Sequence, residues 1–79
     1  MMIQVKLLAN YREHLPPEAK NGGVKLDIPD GTTIREVMSR FAIPLDDTSV
    51  IVVNGATVDL DTPLKAGDVV SAFSAIAGG

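Results

Sequence analysis

The sequence has 79 residues, 46% of them hydrophobic and 22% charged, a composition that predicts one small globular domain with one core. Because so short a chain buries only roughly 60% of the surface that its unfolded form exposes, a catalytic pocket would compete with the core for apolar residues, and an independent enzyme is disfavoured. The absence of cysteine excludes disulfides and thiolate metal sites, and a net charge of −3 has the wrong sign for nucleic-acid binding.

The first residues, Met1 to Lys6, turn polar almost at once and lack the apolar stretch of a signal peptide. No apolar run approaches the roughly 20 residues of a membrane span. We therefore expect a cytoplasmic protein that does not enter a membrane.

Alternating apolar and polar residues predict two strands in the first part of the chain. The first runs from Ile3 to Leu8 and the second from Val24 to Ile28, where Pro29-Asp30-Gly31 supplies a turn. The connection over residues 10–23 is polar and contains two prolines and two glycines. At most one helical turn, around residues 11–15, is expected in it.

A helix with one apolar face is predicted next. Thr33 and Glu36 have the spacing of a capping box at its start, and Pro44 ends it. Glu36 could also pair with Arg40 one turn later, for a few tenths of a kcal/mol. The apolar residues recur at i, i+3, i+4 and i+7: Ile34, Val37, Met38 and Phe41.

The remaining residues predict a hairpin and a last strand. Val50 to Val53 and Ala56 to Leu60 flank Asn54-Gly55, a pair that favours two-residue hairpin turns. After a turn-rich connection, Val69 to Ile76 is the last strand. The order strand, strand, helix, hairpin, strand predicts an α+β fold, a single β-grasp domain with a mixed sheet of four to five strands packed on one main helix. We expect this domain to span residues 1–76.

Residues 77–79 are expected to form a flexible tail, Ala77-Gly78-Gly79. At a glycine frequency of about 7%, two terminal glycines arise by chance in roughly 0.5% of chains, although a terminus can also be small because nothing selects its residues. A tail without β-branches or charges can enter a narrow channel of a partner enzyme. A carboxylate reacts with nucleophiles only after activation, for example as an acyl-adenylate. The sequence contains no phosphate-binding loop, so we expect the partner to use ATP and this chain to bind no cofactor.

Strand parity places Leu8 and Phe73 on the face of the sheet that points away from the core. In a β-grasp sheet the first and last strands are neighbours, so these two residues would form one exposed apolar patch near the base of the tail. We expect a docking site there. The alternative is that a twist or bulge turns one of them into a second small core.

The polar candidates have ordinary structural explanations. His14 lies in a polar loop with no second histidine, so we expect a surface residue and no metal site. Five aspartates fall in turns and at strand ends, where aspartate caps and bends the chain, although as an acidic rim they could steer a basic partner. They are Asp46, Asp47, Asp59, Asp61 and Asp68.

In this order and with the terminal diglycine, three segments are similar to motifs of one superfamily: Ala9-Asn10-Tyr11-Arg12-Glu13, Val53-Asn54-Gly55 and Pro63-Leu64-Lys65-Ala66-Gly67-Asp68. The whole chain resembles the ubiquitin-like sulfur carriers, namely the MoaD-like small subunit of molybdopterin synthase and the ThiS-like carrier of the thiamin pathway.

This resemblance implies chemistry at the last residue. Gly79 would be adenylated by an E1-like (MoeB-like or ThiF-like) enzyme and then converted to a thiocarboxylate, with Gly78 and Ala77 threading into the partner. The sulfur would pass to a MoaE-like large subunit or a ThiG-like synthase. The chain would be a carrier or non-catalytic subunit rather than an enzyme.

The resemblance also implies that Leu8, Phe73 and Ile76 contact the partners. Thr57 stands where a third apolar docking residue is expected, which makes the patch smaller.

Two features of the sequence indicate different pathways. The long connection over residues 10–23 is similar to the molybdopterin branch, whereas the tail over residues 75–79 is closer to the thiamin carriers. We favour molybdopterin or tungstopterin synthesis narrowly, because an inserted loop is harder to acquire than a changed tail residue. Two other functions remain open: a ubiquitin-like protein modifier conjugated through Gly79, and a β-grasp binding module whose tail is inert.

Overall fold

The computed structural model describes residues 1–19 and 22–75. In these ranges the chain forms five strands, one α-helix and one short 3₁₀ helix. In chain order they are β1 (Met2–Leu7), the 3₁₀ helix (Ala9–His14), β2 (Gly23–Asp27), α1 (Ile34–Arg40), β3 (Ser49–Val53), β4 (Ala56–Thr57) and β5 (Val69–Ser74).

The strands form one mixed sheet in the order β2-β1-β5-β3-β4. The first and last strands are parallel neighbours in its centre, with Gln4 opposite Val69 and Leu7 opposite Ala72. The other three pairings are antiparallel. This topology confirms the predicted α+β, β-grasp fold.

The core lies between one face of the sheet and α1. Along β1 and β5 every second residue is buried, as the predicted alternation requires. From α1, the side chains of Ile34, Val37 and Met38 are fully buried against this face. Burial of an aliphatic side chain of this size stabilises the fold by about 1.5–3 kcal/mol, so these contacts hold the helix on the sheet.

The capping box that the sequence predicts is present at the start of α1. The Glu36 backbone N–H donates to the Thr33 hydroxyl over 3.3 Å, and the Thr33 backbone N–H donates to the Glu36 carboxylate over 3.1 Å. The carboxylate is thus engaged at the cap, and among the described residues no ion pair joins it to Arg40. The ion pair of this helix is formed instead by Arg35 and Asp61, 2.9 Å apart.

Helix α1 ends earlier than the apolar spacing indicates. Phe41 is its C-terminal cap and is only half-buried, and Ala42 has a left-handed backbone (φ 56°) that turns the chain before Pro44 is reached. The helix is therefore ended by this reversal, two residues ahead of the proline.

The second strand of the hairpin is also shorter than predicted, because β4 stops at Thr57 instead of Leu60. Beyond it the chain turns to the start of the helix, where the backbone N–H of Arg35 donates to the Leu60 carbonyl over 2.8 Å and that of Ile34 to the Thr62 carbonyl over 3.2 Å. First-turn N–H groups have no partner inside a helix. The segment after Thr57 therefore supplies acceptors to α1 rather than a longer ladder to β3.

The helical turn expected in the first connection is confirmed and is longer than predicted, a 3₁₀ helix of six residues. It buries Tyr11, whose hydroxyl lies 2.5 Å from the Ser49 hydroxyl at the start of β3. The first connection is therefore attached to the start of β3, which lies beyond β5 from β1 in the sheet. Of the helices described, none has the length and apolar character needed to cross a membrane.

Candidate partner-binding face and tail base

The outer face of the sheet, opposite the core, carries the two apolar residues singled out from the sequence. Leu8 directly follows β1, and its backbone N–H donates to the Ala72 carbonyl over 2.9 Å, which sets it beside Phe73 across the β1–β5 pairing. The Leu8 residue is 41% exposed and Phe73 is half-buried. The structure thus brings the two together on one face, close to the end of β5.

Sequence reasoning missed a third member of this surface. Val50 on β3 lies opposite Phe73 in the antiparallel register and is half-buried on the same face. We call Leu8, Phe73 and Val50 the apolar row. The uninterrupted apolar run over residues 50–53 conceals the alternation. The available signal was parity: once Ile51 faces the core, its neighbours must face outward.

A more polar row lies next to the apolar row. Lys6 is opposite Ser71, Ser71 is opposite Val52, and Val52 is opposite Thr57 on the edge strand. Thr57 is exposed and lies on the outer face, so its hydroxyl group belongs to the same surface as the apolar row. Thr57, where the resemblance implies an apolar residue, therefore lies at the rim of this surface.

The end of β5 is held by a set of hydroxyl groups that we call the tail base. The Ser74 hydroxyl lies 3.0 Å from that of Thr48, and the Ala75 backbone N–H donates to the Thr48 carbonyl over 2.7 Å. Thr48 is in turn fixed by Asp46, whose carboxylate accepts from its N–H over 2.8 Å and from its hydroxyl over 2.5 Å. The chain is therefore anchored up to Ala75, the last residue of the described range.

Hydrogen bonding also changes the acidity of the tail base. The Thr48 hydroxyl and then the Thr48 backbone N–H favour the charged carboxylate and lower the pKa of Asp46 below its ordinary value. The loop that holds the end of β5 is thus organised around an ionised aspartate at neutral pH.

Replacing Asp46 with asparagine should remove a pH-dependent part of the stability. A carboxyl group whose pKa is lowered by folding stabilises the native state above its unfolded pKa of about 3.9, and this contribution is lost as the pH falls through the lower folded pKa. Asparagine keeps an acceptor for Thr48 but carries no charge. In urea unfolding between pH 2.5 and 7, we expect wild type to exceed Asp46→Asn in stability at the neutral end, with the difference shrinking towards the acidic end.

The matched control for this prediction is Asp47→Asn, which removes the same charge one residue away. Among the described residues no hydrogen bond joins the Asp47 carboxylate to another group, so Asp47→Asn removes a charge without removing a bond and should not reproduce the effect of Asp46→Asn. If the stability of both variants depended on pH in the same way, net charge, and not the bonds to Thr48, would be the cause of the effect.

Two of the other aspartates, Asp61 and Asp68, form side-chain hydrogen bonds. Asp61 pairs with Arg35, and the hydrogen bond to that guanidinium lowers the pKa of Asp61. Asp68 accepts from the Lys65 backbone N–H over 2.8 Å. His14 lies edge-on to Tyr11 with 6.3 Å between ring centroids. Within residues 1–19 and 22–75, no group of three His, Asp or Glu side chains could hold a metal ion.

Surface grooves lie elsewhere on the sheet. One of about 270 Å³ and another of about 290 Å³ share Gln4 on β1 and Lys25 on β2 among their lining residues. Both are open to solvent, and neither is lined by a residue of the apolar row. The other predicted site residues, Ile76, Ala77, Gly78 and Gly79, lie outside the described residues.

The sequence and the fold of this chain are similar to those of known proteins. A family model described as the ThiS family matches residues 5–79. No curated protein sequence matches the chain. The chain is similar in structure to SAMP1 of Haloferax volcanii, with a TM-score of 0.77, 20% identity and 100% of both chains covered.

Two further structures concern molybdopterin-converting factors. A putative subunit 1 from Pyrococcus furiosus has a TM-score of 0.73 and 24% identity over 95% of this chain and 98% of that one. A complex of subunits 1 and 2 from Helicobacter pylori contains a chain with a TM-score of 0.61 and 24% identity, with 100% of both chains covered. At these identities the likeness is one of fold.

Proposed function

The chain belongs to the ThiS family of ubiquitin-like sulfur carriers, and from this premise we propose that Gly79 is adenylated by an E1-like enzyme and converted to a thiocarboxylate that donates sulfur in cofactor synthesis. The observation that carries the proposal is the extent of the family match, which runs through Gly79 and so includes the diglycine. Proteins of this family are carriers or small subunits rather than catalysts.

The chemistry that we propose needs only a carboxyl group from this chain. The Gly79 carboxylate attacks the α-phosphate of ATP and pyrophosphate leaves, which gives an acyl-adenylate. A sulfur nucleophile from a donor then attacks the acyl carbon and AMP leaves, so that one carboxyl oxygen is replaced by sulfur. The E1-like (MoeB-like or ThiF-like) partner supplies the ATP site, and a separate donor supplies the sulfur.

In this proposal, partners bind the folded domain and thereby position the tail. The apolar row lies on the outer face at the end of the sheet where β5 finishes, so a partner seated on it is close to Ala75, the last described residue before the tail in sequence. Ile76 would extend the contact, and Ala77 and Gly78 would enter the channel of the partner because small residues pass where side chains collide. Exposed apolar groups with a polar rim are typical of protein-binding surfaces.

For the acceptor we propose a MoaE-like large subunit, and hence molybdopterin or tungstopterin synthesis. The long first connection supports this, because its length is the feature by which the sequence resembles the molybdopterin branch, and it is ordered in part as a 3₁₀ helix. The Helicobacter pylori structure is a complex of subunits 1 and 2 of its converting factor, which illustrates the kind of partner proposed. A ThiG-like synthase of the thiamin pathway is the alternative acceptor.

A second candidate function is protein modification. It is favoured by the likeness to SAMP1 of Haloferax volcanii, which is a small archaeal modifier protein. In this case the activated Gly79 would form an isopeptide bond with a lysine amine of a target, and AMP would leave. The activation step and the apolar row would be used in the same way.

Intact-mass measurement tests the proposal. The protein is incubated with ATP, an E1-like partner and a sulfide donor, and the C-terminal peptide is expected to exchange one oxygen for sulfur. The control carries a few additional residues after Gly79 and should not react. Equal reaction of the extended protein would contradict the proposal. Covalent ladders in cell extracts that disappear on deletion of Gly79 would instead support the modifier function.

A further inference from the structure

The hairpin turn between β3 and β4 contains a residue pair that the proposed function does not use. Asn54 and Gly55 have φ angles of 51° and 88°, the left-handed values of a two-residue turn between twisted strands. Both residues are exposed. In ordinary chains, asparagine followed by glycine is also the pair at which a side-chain carboxamide is most open to attack by the next backbone nitrogen, because glycine has no Cβ to obstruct the approach.

The Asn54 carboxamide is held by the segment that leads into β5. Its Nδ2 donates to the Asp68 carboxylate over 2.8 Å, and its Oδ1 accepts from the Val69 backbone N–H over 2.9 Å. The Asn54 backbone N–H also donates to the Val69 carbonyl over 2.9 Å. Three hydrogen bonds therefore fix this residue, and two of them engage both ends of the reactive group.

We propose that Asn54 is a site of spontaneous deamidation, and that its bonds to Asp68 and Val69 restrain the reaction in the folded protein. The Gly55 backbone nitrogen, losing its proton to solvent base, attacks Cγ of Asn54, and ammonia leaves as a five-membered succinimide forms. Water then opens the ring at one of its two carbonyl groups, which gives aspartate or isoaspartate. The net change is replacement of ammonia by water, with no oxidation or reduction.

The restraint follows from the position of the carboxamide. To place Cγ over the Gly55 nitrogen, the side chain must rotate away from β5, which breaks the bonds to Asp68 and Val69. This requires a local opening of the turn, and the reaction rate is then proportional to the population of the open form.

The product would weaken the same contact. Conversion to aspartate replaces the Nδ2 donor with a carboxylate oxygen at a position 2.8 Å from the Asp68 carboxylate, so a hydrogen bond becomes a repulsion between like charges. The bond from the Val69 N–H can survive. The hairpin that carries Val52 and Thr57 on the outer face would then be less firmly joined to β5. Deamidation would therefore loosen this turn in each molecule that has reacted.

The first experiment measures the rate at Asn54 by peptide mapping of protein incubated at pH 8. Mapping separates this site from Asn21-Gly22, the other such pair in the sequence. We expect the folded protein to react at least about tenfold more slowly than the same protein in urea, because closed turns do not react. Equal rates in the two states would overturn the proposal.

Variants at Asp68 identify the restraint. Asp68→Ala removes the acceptor and should accelerate the reaction several-fold, whereas Asp68→Asn keeps an acceptor oxygen and should react close to the wild-type rate. Thr33→Ala, which removes the helix cap and none of the hydrogen bonds of Asn54, controls for general loss of stability and should not accelerate the reaction as Asp68→Ala does. If the two alanine variants behave alike, the bond to Asp68 is not the restraint.

A second experiment tests the consequence of the reaction directly. Asn54→Asp should have a lower urea midpoint than wild type at pH 7.5, and adding Asp68→Asn should restore most of the loss by removing one charge. At a pH low enough to protonate one of the carboxyl groups, the difference from wild type should shrink. An Asn54→Asp variant as stable as wild type at pH 7.5 would show that the product does not disturb the turn.

Discussion

Replacing Phe73 with aspartate is expected to reduce activation of the tail by an E1-like partner by about 100-fold or more in kcat/KM. The side chain is the central member of the apolar row, between Leu8, which directly follows β1, and Val50 on β3. Docking of a partner would bury the new carboxylate without a counter-charge, and loss of a central aromatic contact alone commonly costs 2 kcal/mol or more. A fold-change of this size corresponds to about 2.7 kcal/mol.

The measurement is the initial rate of adenylation at several concentrations of the carrier. Because the change affects recognition and not the reacting carboxyl group, most of the loss should appear in KM. Gln4→Asp is the matched control, since it places the same charge on the same face, two residue rows from Phe73 along β1 and β5.

Two results would contradict the docking role. One is normal kinetics for Phe73→Asp. The other is an equal loss for Gln4→Asp, which would indicate a general effect of negative charge on the outer face. Urea unfolding of both variants keeps a folding defect apart from a binding defect, because Phe73 is only half-buried and its replacement leaves the core intact.

Much of this architecture could be predicted because local signals and packing agree. In β1 apolar and polar residues alternate from Ile3 to Leu7, so the inward face of Ile3 follows directly from the sequence. At the helix start, the residues Thr33 and Glu36 interact within one turn and need no tertiary context. The β-grasp topology followed because few arrangements of these elements bury a single face of one helix.

The features that could not be predicted depend on residues distant in sequence. Tyr11 is buried because its hydroxyl meets Ser49, which lies 38 positions away. Val50 joins the apolar row through the β3–β5 register, which an uninterrupted apolar run does not specify. The end of β4 is set by Arg35, whose backbone N–H takes the Leu60 carbonyl as its acceptor. In each case the sequence contains both residues but does not indicate that they meet in the folded chain.

The tail base shows the same limit at the candidate site. Asp46 and Thr48 interact locally, so an aspartate in a turn was a sound expectation. Their significance lies in the connection of Thr48 to Ser74, 26 positions later, at the end of β5. What holds the chain at the start of the tail therefore became visible only when the sheet was assembled.

Truncation of Met38 to alanine is expected to destabilise the domain by about 2–5 kcal/mol, the range for removing a large aliphatic side chain from a core. Met38 is fully buried, and α1, with seven residues, presents few side chains to the sheet. A domain of this size has a free energy of unfolding of only about 5–10 kcal/mol, so one cavity removes a large fraction of it. Urea unfolding followed by circular dichroism measures the loss.

Met38→Leu is the control, because it nearly conserves volume and should cost less than about 1.5 kcal/mol. If partners bind the outer face of the folded domain, as proposed, then Met38→Ala should lower the rate of tail activation only in proportion to the fraction of molecules that are unfolded. The KM of the folded fraction should be unchanged. A loss of activation well beyond the unfolded fraction would mean that the helix side of the domain also contacts the partner. The pair of variants thus separates a requirement for the fold from a requirement for a surface, since Met38 is buried on the opposite side of the sheet from the apolar row.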